Sequence, residues 1–232
     1  MKMVTWTLIY ATLLVVLTEP ATPKCVETPR GLIEHFWTGD TDASDIVGGN
    51  DGMLEGATVG EEGMVSGAFG FNPGDRVDLS KTITLEGDFT AMAWWKTSSA
   101  GRHTLFGHGD NVGRDYLQIR NQWRYKYLID GASGNDGYNA YVDYALNTWN
   151  HVAMVRRKGF VTVYHNGIKL DPVSEPLYGP FHIGNIGRCD DNWNAMSGQI
   201  DEVLIYRRAL NQNHIKEIYE AASEGVCIDP TK

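Results

Sequence analysis

Cysteine and positive charge are scarce in this chain. Only three of its 232 residues are cysteine, and 20 lysine and arginine residues stand against 29 aspartate and glutamate residues, for a net charge of −9. No block of consecutive basic residues is long enough to follow a phosphate backbone. Because nucleic acid and anionic membrane surfaces attract positive patches, neither is an expected partner.

Hydrophobic runs are short as well. One uncharged, largely apolar run covers residues 4–17, after a basic start and before Thr18-Glu19-Pro20-Ala21. A membrane anchor is the alternative, but a spanning helix needs about 20 apolar residues. The pattern is typical of a secretory signal peptide over residues 1–21. We therefore expect cleavage near Ala21, a secreted extracellular domain over residues 22–232, and no membrane insertion.

Sequence signatures of common enzymes are missing too. The chain has no Gly-x-Ser-x-Gly, no His-Glu-x-x-His, no Gly-x-Gly-x-x-Gly after a strand pattern and no closely spaced cysteine pair. Without a recognisable nucleophile, metal-binding helix or cofactor loop, the sequence does not support an enzyme.

Turn-forming and strand-forming residues are plentiful. The 26 glycines and 8 prolines are spread along the chain rather than clustered, which is typical of many turns in one folded domain. Residues 89–96 alternate between two faces, and residues 123–130 do the same. A period of two predicts β-strands at both places.

Three more segments define the expected fold class. Asn166-Gly167 follows an apolar segment and predicts the tight primed turn of a β-hairpin. Residues 200–206 predict a strand with apolar residues on both faces, and residues 211–222 predict a helix. The sequence therefore predicts an all-β fold with one short C-terminal helix.

A family resemblance is carried by several segments in order along the chain. They include Gly87-Asp88-Phe89-Thr90-Ala91-Met92-Ala93-Trp94, Trp149-Asn150-His151-Val152-Ala153 and Gly198-Gln199-Ile200-Asp201-Glu202-Val203, with further segments at 31–37, 44–52, 67–79, 164–167 and 183–185. Together they resemble the LamG-like jellyroll domains of the concanavalin A-like lectin/glucanase superfamily, over about residues 25–227.

The resemblance implies a fold and a range of functions. The implied fold is a two-sheet antiparallel jelly-roll β-sandwich. Most domains of this kind bind glycans or other extracellular partners, often with one calcium ion, and one branch hydrolyses glucans. Because the fold alone does not choose among these functions, the candidate site residues must decide.

An acidic segment near the N-terminus is a candidate calcium site. Asp40-Thr41-Asp42-Ala43-Ser44-Asp45 places three carboxylates within six residues, and Gly48-Gly49-Asn50 follows. Oxygen ligands of this kind are those that Ca²⁺ prefers. By position, the resemblance implies that Asp45 and Asp201 share a structural calcium ion with Asn50 nearby. Asp42 is a further candidate ligand.

Asp201 needs a partner in any case. The alternation of residues 200–206 places it on one face with Val203 and Ile205, where an unpaired carboxylate is costly. The alternatives to calcium are backbone amides or an arginine as the partner of a carboxylate, and plain solvation of the acidic segment.

Two of the three cysteines are expected to pair in an oxidising compartment. A bond between Cys25 and Cys227 would close nearly the whole domain into one loop, and flanking cysteines in similar domains support that pairing. Cys189 is then left over, either as a buried and inert thiol or as an intermolecular or reactive one.

Two loops combine an aromatic residue with carboxylates and amides, which is the composition of a sugar-binding site. One is Asp190-Asp191-Asn192-Trp193-Asn194, and the other is Asn135-Asp136-Gly137-Tyr138-Asn139. The candidate ligand-binding residues are Trp193, Asp191, Asn194, Tyr138 and Arg114. The alternative is that Trp193 packs on the sandwich and that the polar residues are ordinary turn formers.

One segment begins like the catalytic motif of the glucanase branch. That motif, Glu-x-Asp-x-x-Glu, holds paired carboxylates about 5 Å apart. Here Glu86-Gly87-Asp88 starts the pattern, but Ala91 stands where the general acid would be, so no group can protonate the leaving oxygen.

The expected function is therefore non-catalytic binding of an extracellular glycan or glycoprotein by a secreted domain with a structural calcium ion. The alternatives are a protein-interaction or adhesion module of the same fold and a degenerate glycoside hydrolase.

Overall fold

The computed structural model describes residue 25 and the ranges 33–109, 114–120, 126–130, 138–171, 175–189 and 194–226. The predicted signal peptide over residues 1–21 lies outside them. The described residues form sixteen strands and one α-helix, α1 (Gln212–Ala221), followed by a 3₁₀ turn (Ala222–Glu224). The strands are β1 (Ile33–Trp37), β2 (Gly52–Glu55), β3 (Thr58–Glu62), β4 (Gly67–Phe71), β5 (Arg76–Leu85), β6 (Phe89–Lys96), β7 (Arg102–Gly109), β8 (Arg114–Arg120), β9 (Lys126–Asp130), β10 (Tyr138–Tyr141), β11 (Asn150–Arg157), β12 (Phe160–His165), β13 (Ile168–Lys169), β14 (Glu175–Pro176), β15 (Phe181–Ile186) and β16 (Gly198–Tyr206).

The strands form two sheets. Within the described ranges, a nine-stranded sheet has the order β13-β12-β11-β6-β16-β4-β3, with β1 beside β16 and β14 beside β12. A seven-stranded sheet has the order β10-β9-β8-β7-β15-β5-β2. The named strands pair antiparallel throughout, and sequence neighbours such as β5 and β6 lie in different sheets. The predicted two-sheet jelly-roll sandwich is confirmed.

The main core lies between the sheets. Strand β6 shows how alternation produces it, because Phe89, Ala91, Ala93 and Trp95 all belong to the interior cluster. Large side chains of the seven-stranded sheet meet them, among them Phe106 and Phe181.

A chain of three polar side chains crosses this core. Trp95 Nε1 donates a hydrogen bond to Tyr127 Oη at 3.0 Å, and Tyr127 Oη lies 2.8 Å from Nδ1 of His165. Burial raises the pKa of Tyr127 and lowers the pKa of His165 to about 4, so both side chains are neutral at pH 7. The two sheets are therefore joined by hydrogen bonds in addition to apolar contacts.

Helix α1 covers the outer face of the nine-stranded sheet. The side chain of Asn211 caps it by accepting a hydrogen bond from the backbone N–H of His214 at 3.0 Å. Ile215 and Ile218 are buried in a second apolar cluster that includes Met92 of β6. The predicted helix is confirmed, and it explains why β6 is buried on both faces.

The predicted hairpin turn is also confirmed. Asn166 and Gly167 have φ values of 49° and 75°, and they connect His165 of β12 to Ile168 of β13 in register. Positive φ at both central residues is the requirement of a primed turn. The Asn166 side chain also accepts a hydrogen bond from the backbone N–H of His151 at 2.8 Å.

The prediction that Asp201 shares a strand face with Val203 and Ile205 is wrong. Its register partner is Trp94, whereas Leu204 pairs with Met92, so an extra residue lies in β16 between Asp201 and Leu204. Glu202, at φ 51°, is part of this bulge. Val203 and Ile205 lie in the core between the sheets, but Asp201 lies on the face that carries Trp94 and Leu204. A bulge reverses the face because strand side chains alternate with a period of two.

Cys189 is a buried thiol that packs against Tyr116. This arrangement agrees with the buried alternative for the third cysteine. Cys227 lies outside the described residues, so the pairing of Cys25 with Cys227 stays a prediction. In the part of the chain that the structure describes, no helix is long and apolar enough to span a membrane.

Candidate functional site

Asp45, the first of the predicted calcium ligands, is enclosed by hydrogen-bond donors. Its Oδ2 accepts hydrogen bonds from His35 Nδ1 at 2.6 Å and from the backbone N–H of Asn50 at 3.0 Å. Its Oδ1 accepts from the backbone N–H groups of Phe36, Val47 and Gly48 at 2.9–3.2 Å. Burial alone would raise the pKa of Asp45, but these bonds outweigh it and lower the pKa to about 2.

Asn50 and Asp42 also have protein partners. The Asn50 side chain donates to the backbone carbonyl of Lys81 and accepts from the backbone N–H of Lys81, both at 2.8 Å. This pair of bonds ties the loop after β1 to β5. Asp42 is exposed and accepts a hydrogen bond from the backbone N–H of Ser44 at 2.8 Å, as in an ordinary Asx turn.

Asp201 is bound by a different loop. Its Oδ2 accepts hydrogen bonds from the backbone N–H groups of Met64 and Val65, at 2.8 and 2.9 Å. Its Oδ1 is buried and has no hydrogen-bond partner in the described part of the chain. Backbone amides therefore satisfy one oxygen of Asp201. Backbone amides were one of the expected alternatives to calcium as the partner of this carboxylate.

The four predicted ligands do not fit one calcium ion as they are arranged. Asp45 and Asn50 use their oxygens on backbone donors, and Asp201 is held by the loop between β3 and β4. Within the described ranges, no group of three or more histidine, cysteine, aspartate or glutamate side chains is placed to hold a metal ion. The arrangement gives the calcium prediction no support, and N–H groups aimed at Asp45 would repel a cation.

Asp201 and Glu202 form a buried acidic pair beneath the C-terminal segment. They are 0% and 5% exposed. Burial raises the pKa of Asp201, and burial together with the charges of Asp201 and Asp40 raises the pKa of Glu202 to about 9. Glu202 is therefore protonated at pH 7. It lines a small cavity with Trp94 and His151.

The predicted ligand-binding residues are distributed over several places. Arg114 is the exposed first residue of β8, and Tyr138 is the first residue of β10, opposite Ile129 of β9. These two lie at the same end of the seven-stranded sheet. Asn194 is half-buried in the segment before β16. Trp193 and Asp191 lie outside the described residues and stay predictions.

The outer face of the seven-stranded sheet carries residues of six strands in register. The register places one row of residues side by side across six strands, which we call the central row: Met53, Asp78, Asn185, Gly107, Tyr116 and Asp130. Asp78 Oδ1 accepts hydrogen bonds from Asn185 Nδ2 and Arg76 Nε, both at 2.5 Å.

Gly107 lies in the middle of the central row. A side chain at this position would collide with the backbone carbonyl of Asp115 and with Tyr116. The glycine therefore permits close pairing of β7 with β8.

A second row crosses the same face near the other end of these strands. Arg102 of β7, Arg120 of β8 and Lys126 of β9 stand directly opposite one another, and we call them the basic row. Tyr141 of β10 extends the row, because it stands opposite Lys126 and is 41% exposed. The neighbouring residues Ile119 and Ala140 belong to the core, so Arg120 and Tyr141 lie on the outer face.

Two buried polar side chains lie beside Arg120 on the same face of the sheet. Gln118 and Thr104 are both 0% exposed, and Gln118 Nε2 donates to Thr104 Oγ1 at 3.0 Å. Gln118 Oε1 accepts hydrogen bonds from Nε and Nη2 of Arg120, at 3.2 and 3.1 Å. The guanidinium of Arg120 is thus held in a defined orientation.

A carboxylate and two histidines lie at the opposite end of β8. Asp115 is 2% exposed, and its Oδ2 accepts hydrogen bonds from the His182 backbone N–H at 2.9 Å and from His182 Nδ1 at 2.5 Å. The ring of His108 lies 6.2 Å from that of His182, centroid to centroid. The hydrogen bond to Nδ1 leaves Nε2 of His182 as the acceptor when the ring is neutral.

The segment that resembles the glucanase motif lies at the start of β6. Glu86 and Asp88 are exposed, and Asp88 Oδ1 accepts a hydrogen bond from the backbone N–H of Lys158 at 2.6 Å. Ala91 is fully buried in the core between the sheets. Asp88 therefore joins two loops of the sandwich.

Comparison with known proteins identifies the family. A family model of the concanavalin A-like lectin/glucanases superfamily, Laminin_G_3, matches residues 71–216, which is more than half of the chain. The chain belongs to this superfamily. The matched range includes every strand of the outer face just described except β2, and it ends within α1.

Solved structures share the concanavalin A-like fold at low sequence identity. Domain 4 of AbnA, an extracellular arabinanase from Geobacillus stearothermophilus solved with arabinotriose, is 19% identical with a TM-score of 0.59, over 80% of this chain and 97% of that one. Trypanosoma rangeli sialidase, solved with 2,3-difluorosialic acid, is 16% identical with a TM-score of 0.66, over 91% of this chain. The match covers 36% of the sialidase, so this chain spans about a third of it.

A third similar structure is the binding domain of Paraclostridial Mosquitocidal Protein 1, which is 18% identical with a TM-score of 0.58. The match covers 82% of this chain and 52% of that one. Identities this low show a shared fold rather than a shared ligand. No curated protein matches the chain.

Sequence reasoning missed the basic row. Arg120 and Lys126 are six residues apart with Arg124 between them, whereas Arg102 lies 18 residues before Arg120. Only the register of β7, β8 and β9 brings them together. The one available signal was the alternation within each strand, which places Arg120 on the face opposite the core.

Proposed function

We propose that this concanavalin A-like domain is a non-catalytic binding module for an extracellular glycan or glycoconjugate. The observation that supports it best is the outer face of the seven-stranded sheet. That face carries the polar side chains of Asp78, Asn185 and Arg120, with an exposed tyrosine, Tyr141, at the edge. Sugar rings offer an apolar face and a ring of hydroxyls, which an aromatic platform beside polar groups matches.

The non-catalytic part of the proposal rests on the segment at the start of β6. Asp88 is engaged with the backbone of Lys158, and Ala91 is buried where a second carboxylate would be needed. Hydrolysis of a glycosidic bond needs both an acid and a base or nucleophile. Release of reducing ends from a bound glycan by the purified protein would contradict this part of the proposal.

Secretion and calcium are separate parts of the proposal. Secretion rests on the signal-peptide pattern of residues 1–21, and cleavage near Ala21 is checked by N-terminal sequencing of secreted protein. Calcium rests on the family resemblance alone, since Asp45, Asn50 and Asp201 are engaged elsewhere. Binding should therefore be measured once in calcium and once in chelator.

The experiment is a glycan array probed with the purified protein and with two tyrosine variants. Tyr141→Ala removes the platform on the outer face and should weaken binding by about tenfold or more. Tyr178→Ala is the matched control, because Tyr178 is 60% exposed and lies between β14 and β15, away from the row. It should leave binding unchanged.

Three results would contradict the proposal or its site. A blank array from folded protein would favour the protein-interaction or adhesion module. Binding that both tyrosine variants retain would move the site away from the outer face, and Trp193→Ala would then test the predicted loop. Equal loss in both variants would indicate a general effect on the fold.

A further inference from the structure

Three connected polar side chains lie on the outer face of the seven-stranded sheet, and we call Arg76, Asp78 and Asn185 the Asp78 group. Oδ1 of Asp78 accepts hydrogen bonds from both of the other side chains, Asn185 Nδ2 and Arg76 Nε, each at 2.5 Å. Val77 and Ile186, the strand neighbours of Asp78 and Asn185, belong to the core between the sheets. Because strand side chains alternate between faces, the Asp78 group lies on the outer face.

Much of the hydrogen-bonding capacity of the Asp78 group is unused. Oδ2 of Asp78, Oδ1 of Asn185 and both Nη atoms of Arg76 have no hydrogen-bond partner among the residues that the structure describes. The side chains of Arg76 and Asp78 are 27% and 26% exposed, and Asn185 is half-buried. The group therefore keeps two acceptor oxygens and several N–H donors for a ligand.

The Asp78 group is oriented before any ligand arrives. Asp78 and Asn185 stand directly opposite one another on the paired strands β5 and β15. The two hydrogen bonds to Oδ1 then fix the carboxylate, the amide and the guanidinium relative to one another. Side chains that are already held in place lose less conformational entropy when they bind a ligand.

The charges around the Asp78 group favour an uncharged ligand. Arg76 forms an ion pair with Asp78 and stands opposite Glu55 of β2 in the register. The hydrogen bond to Asp78 raises the pKa of Arg76, burial opposes it, and the charges of Asp78 and Glu55 raise it further. Two carboxylates thus share one guanidinium, so an acidic group on a ligand would meet net negative charge.

Met53 adds an apolar surface beside the Asp78 group. It stands directly opposite Asp78 in the register of β2 and β5, and it is 60% exposed. On the other side of Asn185 stands Gly107 of β7, which carries no side chain. A sugar ring has apolar C–H faces and hydroxyl edges. A ring that packs on Met53 would bring its hydroxyls to Asp78 and Asn185.

From these observations we propose that the Asp78 group and Met53 bind an uncharged sugar residue through two adjacent hydroxyls. One hydroxyl donates to Oδ2 of Asp78 and accepts from an Nη atom of Arg76. The neighbouring hydroxyl binds the amide of Asn185, and a C–H face of the ring packs against Met53. This inference rests on the proposed glycan-binding function and names the class of glycan, a neutral one with vicinal diols.

The first test compares neutral polymers with and without vicinal diols. The purified protein is titrated with arabinan, galactan, mannan, xylan and dextran, each before and after periodate oxidation and borohydride reduction. This treatment destroys vicinal diols and leaves the polymer uncharged. At least one intact polymer should bind about tenfold or more tightly than its oxidised form.

Two further measurements test the uncharged class. The affinity for the intact polymer should change by less than about twofold between 50 and 300 mM NaCl, because salt screens charges rather than hydrogen bonds to hydroxyls. Polygalacturonate should bind no more tightly than its fully methyl-esterified form, since the two differ only in the charge of the sugar residue.

Variants of the Asp78 group locate the site. Asp78→Asn removes the charged acceptor and Asn185→Ala removes the amide, and each should weaken binding by about tenfold. Asp171→Asn is the matched control, because Asp171 is exposed after β13 of the other sheet, and it should change binding by less than about twofold. Thermal unfolding checks each fold. If the first two variants fail to fold, the exposed Met53→Ala replaces them and should weaken binding by about threefold.

The outcomes separate this inference from the function on which it rests. Binding that Tyr141→Ala weakens but Asp78→Asn and Asn185→Ala retain would leave a glycan-binding module and overturn this site. Equal losses in Asp78→Asn and Asp171→Asn would also overturn it, as a general charge effect.

The polymers decide the class of glycan. Equal binding of intact and oxidised polymers would overturn the diol, and tighter binding of polygalacturonate than of its ester would overturn the neutral class. Failure of all five neutral polymers to bind would overturn this inference alone, whereas a blank glycan array in addition would overturn the proposed function as well.

Discussion

Both carboxylate oxygens of Asp45 are occupied by donors from its own loop and from β1. Because these bonds lower its pKa to about 2, the ionised form stabilises the fold. Asp45→Asn places an amide among the same donors and should reduce the free energy of unfolding at pH 7 by about 2–3 kcal/mol. Chemical denaturation measures the loss. Asp42→Asn, in an exposed turn, is the control and should change stability by less than about 0.5 kcal/mol.

The pH dependence of this residue has a definite sign. The pKa is lower in the folded chain than the ordinary value of 3.8, so the contribution of Asp45 is complete above about pH 4 and is lost as the pH falls toward 2. The difference in the free energy of unfolding between the wild-type protein and Asp45→Asn, which we call the gap, should narrow over that range. A gap that stays constant down to pH 3 and below would mean that the ionised carboxylate is not what stabilises the loop. Chelator should not widen the gap, since no calcium is needed to satisfy Asp45.

At the scale of elements, the β12–β13 hairpin depends on the left-handed backbone of its turn. Gly167 has φ 75°, a conformation that costs other residues about 1–2 kcal/mol. Gly167→Ala should therefore destabilise the protein by that amount in denaturant unfolding. Gly167→Asn adds the same Cβ near Lys216 and Tyr219, but asparagine tolerates the conformation, so it should lose less. Equal losses would place the cost in the crowding rather than in the backbone.

The elements that sequence reasoning predicted correctly are those with local signals. The primed turn, the alternation of β6 and the capped helix α1 each follow from residues that are neighbours along the chain. The face of Asp201 was wrong because the bulge at Glu202 depends on how β16 pairs with β6. The basic row was missed for a similar reason, since strand register is set by the whole sheet. Candidate sites that are inferred from loop composition and single motifs therefore could not include the bulge in β16 or the basic row.

At the scale of the whole molecule, buried titratable groups limit stability on both sides of neutrality. Burial, with the positive charge of His165 as a smaller cause, lowers the pKa of His151 to about 3, and burial lowers that of His165 to about 4. The unfolded chain takes up protons on both histidines below about pH 6.5, so stability falls with decreasing pH. Glu202 has the opposite effect, because its pKa is raised from 4.5 to about 9. The folded chain then retains a proton that the unfolded chain releases, and stability falls as the pH rises from about 5 to about 9.

These opposing effects predict a stability maximum between about pH 5 and pH 7, measured as the free energy of unfolding in urea across pH 3–9. Glu202→Gln keeps the shape of the protonated side chain and removes its titration, so the variant should lose less stability than the wild-type protein between pH 6 and pH 9. Asp201, whose pKa is also raised, retains part of the slope. Glu217→Gln on the exposed side of α1 is the matched control and should follow the wild-type curve. If Glu202→Gln and Glu217→Gln have the same curve, titration of Glu202 does not set the alkaline limit of stability.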